Sequence, residues 1–236
     1  MHWMRAFAAV VALKLFAGAA PALAQQQDIT DRARQMNESF AADEEWIARF
    51  EMEGREIFDF RYKIVDQLGL EPGVDVADIG AGSGLLSRIS AERVGPGGTV
   101  YAIDISPTMI DHIASMAQEG GLPNLRPMLG DVRSPQLPPN SVDVVMVVAT
   151  YHHFEFPEEM LAGIKSALRP GGLFVFVDNE RIYGVTSPGI MAMVRAGKGT
   201  FTDEIVNAGF DLIDEVDIGM EEHYLLRFRH RGEMGR

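Results

Sequence analysis

Cysteine is absent from the 236 residues. Disulfides, thiolate metal centres and thiol-based catalysis are thereby excluded, and cysteine usage says nothing about compartment. A basic surplus is missing too: 34 acidic residues face 21 basic ones, for a formal net charge of −13. Such a surface lacks the electropositive footprint of a nucleic-acid binder and is repelled by anionic membranes; its plainest consequence is solubility. There is no internal repeat, and no low-complexity tract beyond the glutamines at 25–27. A chain of this length holds one substantial α/β core with little left for a second domain.

Only the N-terminus is apolar over a long run. "AFAAVVALKLFAGAAP" follows Arg5, and "ALA" before Gln25 has the small-x-small form of a cleavage site. Residues 1–24 read as a signal peptide, which implies a periplasmic or secreted protein. A retained anchor, or a cytoplasmic protein with a mis-assigned start, are the alternatives. Lys14 and Pro21 make Ala6–Ala24 a poor spanning helix, and no membrane span is expected after cleavage. Residues 25–45 are polar and read as a linker; 46–236 read as a single domain.

From Trp46 to Gly69, apolar residues near helical spacing (Ile57, Phe60, Ile64, Val65, Leu68) predict an amphipathic helix ended by the glycine. Strand-like and helix-like segments then alternate. "DVADIG", "TVYAIDI", "LRPMLGD", "VDVVMVVATY" and "GLFVFVDN" are apolar strands, separated by helices over 83–94, 107–119 and 157–168. Near-continuous apolar strands alternating with helices predict a parallel sheet covered on both faces. The tail differs. After a helix near 202–208, "DLIDEVDI" and "HYLLRFRH" lie too close in sequence for a parallel crossover and read as antiparallel.

The chemistry is expected at the carboxyl ends of the strands, where doubly wound sheets bind ligands. "DIGAGSG" follows the first strand, and its glycines allow close approach of the main chain to a ligand. The dinucleotide fingerprint needs glycine at 85, where leucine stands, and no lysine followed by Ser or Thr completes a phosphate-cradling loop. A nucleotide-dependent oxidoreductase is therefore disfavoured. Asp78, two residues before Gly80, suits a cationic group or an amine better than a pyrophosphate. Asp104 ends the second strand, where a carboxylate accepts from ribose hydroxyls, and Asp131 follows the third, placed to meet an exocyclic amine. Singly each is an ordinary strand-end acid; three at successive strand ends beside a glycine loop make a pattern.

"VADIGAGSG", "YAIDIS", "LGDV", "VDVVMVVATYHHF" and "ALRPGGLFVFVD" together resemble the successive motifs of class I S-adenosylmethionine-dependent methyltransferases. The nearest group is that of the ubiquinone/menaquinone-biosynthesis enzymes, and the resemblance covers residues 55–230. It implies a doubly wound, mostly parallel, seven-stranded Rossmann-like α/β sheet with an antiparallel last strand and an N-terminal helical cap. It implies S-adenosyl-L-methionine as cofactor. Gly80, Gly82 and Gly84 would hold its methionine part with Asp78 near the amino group, and Asp104 its ribose. Asp131 and Val132 would read the adenine, with Ile105 and Met109 on its face and Ala149 or Thr150 beside the sulfonium.

Methyl transfer from a sulfonium is an in-line displacement, so the protein mainly aligns a small-molecule acceptor; a base is needed only if the acceptor loses a proton. Tyr151, His152 and His153, past the fourth strand, are the candidates, with His152 facing the acceptor and His153 structural. Adjacent residues on a strand point opposite ways, so the two histidines are not read as a metal site. Asp178 and Glu180 share strand parity and are both expected to face the pocket, with Arg181 and Tyr183 on the same rim. Arg195 and Lys198 form a possible lid or anion anchor, and Trp46, Phe50, Arg55 and Tyr62 a cap. An exported protein would be separated from cytoplasmic cofactor, which raises the alternative of a non-catalytic cofactor-binding or scaffold protein on the same fold.

Overall fold

The computed structural model describes residues 27–38 and 45–232. The leader-like segment 1–24 lies outside them, and no helix among the described residues is long and apolar enough to cross a membrane.

Seven strands form one sheet in the order β3-β2-β1-β4-β5-β7-β6. They are β1 (Val76–Ile79), β2 (Val100–Asp104), β3 (Leu125–Leu129), β4 (Val142–Val148), β5 (Leu168–Asn179), β6 (Phe210–Glu215) and β7 (His223–His230). The first five run parallel, and β7 is antiparallel to both β5 and β6. The short tail connection requires that reversal.

Both faces of the sheet are buried, and the apolar runs alternate between them. Val145, Val147, Phe174 and Phe176 pack on one side with helices α7 (Pro157–Ala167) and α9 (Lys198–Asn207). Val144, Met146, Val175 and Val177 pack on the other with α4 (Arg61–Asp66), α5 (Leu85–Val94) and α6 (Pro107–Glu119). A two-sided core explains why these strands carry no polar alternation. The start of α6 shows local coding: Pro107 sits in its first turn and the Ser106 hydroxyl accepts from the Met109 amide at 3.4 Å.

Two expectations at the N-terminus are corrected. The stretch 46–69 is not one helix but three short ones, α2 (Glu45–Phe50), α3 (Glu56–Asp59) and α4. Gly54, at φ +86°, breaks the first from the second. Residues 27–38, read as linker, are helical (α1) and docked. Ala33 and Thr30 are buried, and the Thr30 hydroxyl donates to the Glu155 carbonyl at 2.9 Å. Asn37 Nδ2 donates to the His153 carbonyl and to Glu155 Oε1, both at 3.2 Å. The buried positions are two small side chains three residues apart, flanked by half-buried Ile29 and Met36 among charged residues, which is why overall polarity concealed the contact.

Candidate functional site

Beyond the carboxyl ends of β1, β2 and β4 opens a cavity of about 430 Å³, within the range of small-molecule sites. The central strand β1 pairs with β2 on one side and β4 on the other, so the loops diverge here and leave the crevice.

Gly80, at φ +76°, turns the chain out of β1; a side chain there would collide with Thr150. The amides of Gly80 and Ala81 donate to the Ile103 carbonyl at 2.8 and 3.0 Å, and the Gly82 amide to Asp104 Oδ2 at 2.9 Å. Thr150 closes the turn from the β4 side, its hydroxyl donating to the carbonyls of Gly80 at 3.2 Å and Val148 at 3.0 Å. Ala149 precedes it at φ +51°, a costly conformation for a residue with a side chain, which folds Thr150 back over the loop.

The cavity wall contains Gly80, Gly82, Asp104, Ile105, Met109, Asp131, Val132, Ala149, Thr150 and His152. It does not contain all the candidates. Gly84 begins α5 at φ +78° and faces Ile113 and Met116, so it packs the loop against α6 instead of lining the cavity. Asp78 is buried behind the loop, lines only a small adjoining cavity, and accepts from the Ser87 hydroxyl at 2.6 Å. Burial, helped by the charge of Asp104, pushes its carboxyl up to about 7 despite that hydrogen bond. Burial likewise raises Asp104, against amide bonds from Ser106, Gly82 and Ile105 that hold it down.

At the acceptor end two expectations are corrected. Tyr151 points into the core, ringed by Phe154, Phe176 and Phe201, and its hydroxyl donates to Glu204 at 2.7 Å. Burial and the Glu204 charge raise its phenol far above the usual range, so it stays neutral. Arg195 is committed to the same Glu204. Glu180 turns out to Lys198 at 2.8 Å and is absent from the cavity wall. The parity argument failed because β5 ends at Asn179, and it is Asn179 that lines the cavity.

His152 is 2 % exposed. Its Nδ1 lies 2.8 Å from Asp178 Oδ1, and its amide donates to Oδ2 at 3.3 Å. Burial would raise Asp178, but His152 and the hydrogen bonds from Asn179 outweigh it and hold the carboxyl below its usual range. An ionised carboxylate can only accept, so Nδ1 carries a hydrogen, and in the neutral imidazole Nε2 is then the atom with the lone pair. That Nε2 is buried without a hydrogen-bond partner among the described residues. His153 also lines the cavity, its ring 4.3 Å from that of His152. Burial, with His152 beside it, depresses His153 to about 3, so it is neutral.

Several wall residues escaped the sequence reading. Phe154, Met160, Ile190 and Met193 form an apolar side, and Asn37 of α1 closes one edge. Trp46, Phe50 and Arg55 of the expected cap are present, whereas Tyr62 is exposed outside. Arg55 lines both the main cavity and the small one beside the glycine loop. Its guanidinium lies over the Phe50 ring and donates to the Phe50 carbonyl, and no carboxylate among the described residues pairs with it. Burial alone lowers it to about 10. Glu56, Glu222 and His223 also gather three metal-type ligand atoms within 4.8 Å. The Glu56 carboxylate, however, is already occupied by the amides of Glu221 and Glu222 and by His223 Nδ1.

Comparison with known proteins fits this geometry. Residues 77–176 match the family described as "Methyltransferase domain". The nocamycin O-methyltransferase of Saccharothrix syringae is 39 % identical over 110 residues, 47 % of this chain and 39 % of that protein. The ubiquinone/menaquinone biosynthesis C-methyltransferase of Bordetella avium is 28 % identical over 125 residues, 52 % of this chain and 48 % of that one. The chain thus spans less than half the length of these two relatives. A crystal structure of a SAM-dependent methyltransferase from Aquifex aeolicus superposes with a TM-score of 0.71 at 23 % identity, covering 79 % of this chain and 98 % of that one.

Proposed function

We propose that this chain is a class I S-adenosylmethionine-dependent methyltransferase, a reading supported by the match of residues 77–176 to the methyltransferase-domain family, and that it transfers a methyl group to a hydroxyl of a small organic acceptor, with His152 receiving the proton. The observation that carries this reading is the buried Nε2, without a partner among the described residues, of an imidazole fixed by Asp178 at the cavity. A buried polar atom without a partner is costly, and an acceptor hydroxyl donating to it removes that cost.

The residues present suit S-adenosyl-L-methionine. The bare backbone at Gly80 and Gly82 admits close approach, Asp104 has acceptor capacity left for ribose hydroxyls, and Asp131 with Val132, on the cavity wall, would read the adenine edge. The buried Ser83 hydroxyl, also without a partner among the described residues, lies on the small cavity that Asp78 lines. From there Asp78 would hold the amino group, and Arg55, a cation with no carboxylate partner among the described residues, would hold the carboxylate. When bound, the cofactor supplies an electrophilic methyl group on a sulfonium. What the chain adds is orientation, exclusion of water by Trp46, Phe50 and the apolar wall, and a place for the proton. His152 becomes an imidazolium as the hydroxyl ionises, and the Asp178 carboxylate behind it stabilises that charge.

Arg55→Gln separates the two ends of the cofactor site. It is expected to weaken S-adenosylhomocysteine binding roughly ten- to hundredfold, the worth of one charge-assisted hydrogen bond. Affinity for 5′-methylthioadenosine, which lacks the amino-acid part, should stay unchanged; equal losses for both would place Arg55 elsewhere. The acceptor reading itself is tested by incubating the protein with methyl-labelled S-adenosylmethionine and a panel of phenols and enols beside their methyl ethers. Label should enter only the free hydroxyl compounds. Equal labelling of the ethers would refute a hydroxyl acceptor.

A further inference from the structure

Asp78 is an acid without a counter-charge. It lies on β1, 3 % exposed, and among the described residues its carboxyl has one hydrogen bond, from the Ser87 hydroxyl of α5 at 2.6 Å. No cation among the described residues is paired with it, and Asp104 of β2 acts on it as a like charge. A buried carboxyl in such surroundings is costly to ionise, and it keeps its proton up to about neutrality.

The carboxyl nevertheless opens onto space. With Ser83 and Arg55 it lines a recess of about 70 Å³, which shares Phe50, Gly80, Gly82 and Thr150 with the main cavity. The polar groups around Asp78 are few. The Ser83 hydroxyl has no partner among the described residues, while Thr150 spends its hydroxyl on the carbonyls of Gly80 and Val148. Arg55, the one cation of the recess, bonds the Phe50 carbonyl. An acid and a cation thus line one recess without forming an ion pair, an arrangement that a zwitterionic ligand group completes.

We propose that Asp78 exchanges its proton for the ammonium group of the ligand: the empty recess holds the neutral acid, and binding of the cofactor's amino-acid end expels one proton to solvent. This rests on the cofactor reading of the site and adds its regulation by pH. The O–H bond of the carboxyl breaks, the proton passes to water or buffer, and the ammonium supplies the positive charge in its place. The sign follows by linkage. The free acid, pushed up to about 7 by burial, titrates above the bound one, and the ligand takes the ionised form. Affinity therefore climbs nearly tenfold per pH unit below about 7 and levels off above it. An analogue without the amino group leaves the proton in place, so the preference for the amino-acid-bearing ligand weakens in acid.

The test is calorimetric titration of the full chain with S-adenosylhomocysteine in two buffers of unlike ionisation enthalpy, which counts the protons released. 5′-Methylthioadenosine, which has the ribose and adenine but no amino-acid end, is titrated alongside and subtracts what Asp104 and the cavity imidazoles contribute. At pH 6.5 S-adenosylhomocysteine is expected to release about three-quarters of a proton more than methylthioadenosine, and at pH 8.5 almost none. The ratio of the two affinities should rise about eightfold between pH 5.5 and 6.5. Asp78→Asn should abolish both differences. Ser87→Ala removes the hydrogen bond that favours the ionised form, so it should move the rise to higher pH; it serves as a second variant should the first fail to fold. Equal proton counts for the two ligands in the wild type overturn the proposal, as does a difference that survives in Asp78→Asn. Failure to bind S-adenosylhomocysteine at any pH would instead strike the cofactor reading, and the proposal with it.

Discussion

Alanine in place of Asp104 is expected to weaken S-adenosylhomocysteine binding by about two to four orders of magnitude. The carboxylate anchors both halves of the site: Oδ2 accepts from the Gly82 amide and Oδ1 from the Ser106 amide, each at 2.9 Å. It thus ties the glycine loop to the start of α6 and keeps acceptor capacity for the ribose hydroxyls. Hydrogen bonds to a charged acceptor contribute roughly 1.5–3 kcal/mol each, and about 1.4 kcal/mol is tenfold in affinity. Two such bonds give the stated range before any loosening of the loop is counted. Calorimetric titration of the folded variant measures it. Affinity within threefold of the wild type would remove Asp104 from the cofactor site.

Replacing His152 by glutamine is expected to lower kcat by about 10²–10⁴, the usual contribution of a positioned general base. Binding of S-adenosylhomocysteine should change little, because the glycine loop and Asp104 are untouched. Asp178→Asn retains the shape but removes the charge that fixes Nδ1–H and stabilises the imidazolium, so it should give a substantial loss of kcat as well. A His152→Gln enzyme with wild-type kcat would assign the proton elsewhere.

Much of the cofactor side was legible because it depends on strand ends. The apolar runs mark the strands, and the first glycine turn and the acids after the second and third strands follow by position, so Gly80, Gly82, Asp104 and Asp131 are legible in the sequence as residues of the cavity wall. Asp78 was legible as an acid of the site but not as one recessed behind the loop; that depends on the Ser87 hydroxyl from α5. The acceptor side was less legible because it is assembled from distant segments. Glu56 and His223 meet across 167 positions, and Asn37 reaches His153 across 116. No period or local motif encodes such contacts. Tyr151 misled for a different reason: it follows a strand at the cavity, but a 3₁₀ turn over Tyr151–His153 rotates it into the aromatic core while His152 meets Asp178. Strand parity cannot be carried past the last strand residue, as Glu180 also showed.

The central claim is that an Asp178-fixed imidazole serves methyl transfer to oxygen, and the relatives divide between names that specify oxygen and carbon. The most direct measurement is the position of the methyl group. Turnover with S-adenosylmethionine carrying carbon-13 in the methyl group, followed by carbon NMR of the isolated product, distinguishes a methoxy carbon from a methyl on carbon or nitrogen. A single methoxy resonance, lost in His152→Gln, is the predicted result. Label on carbon or nitrogen, formed equally well without His152, would contradict it.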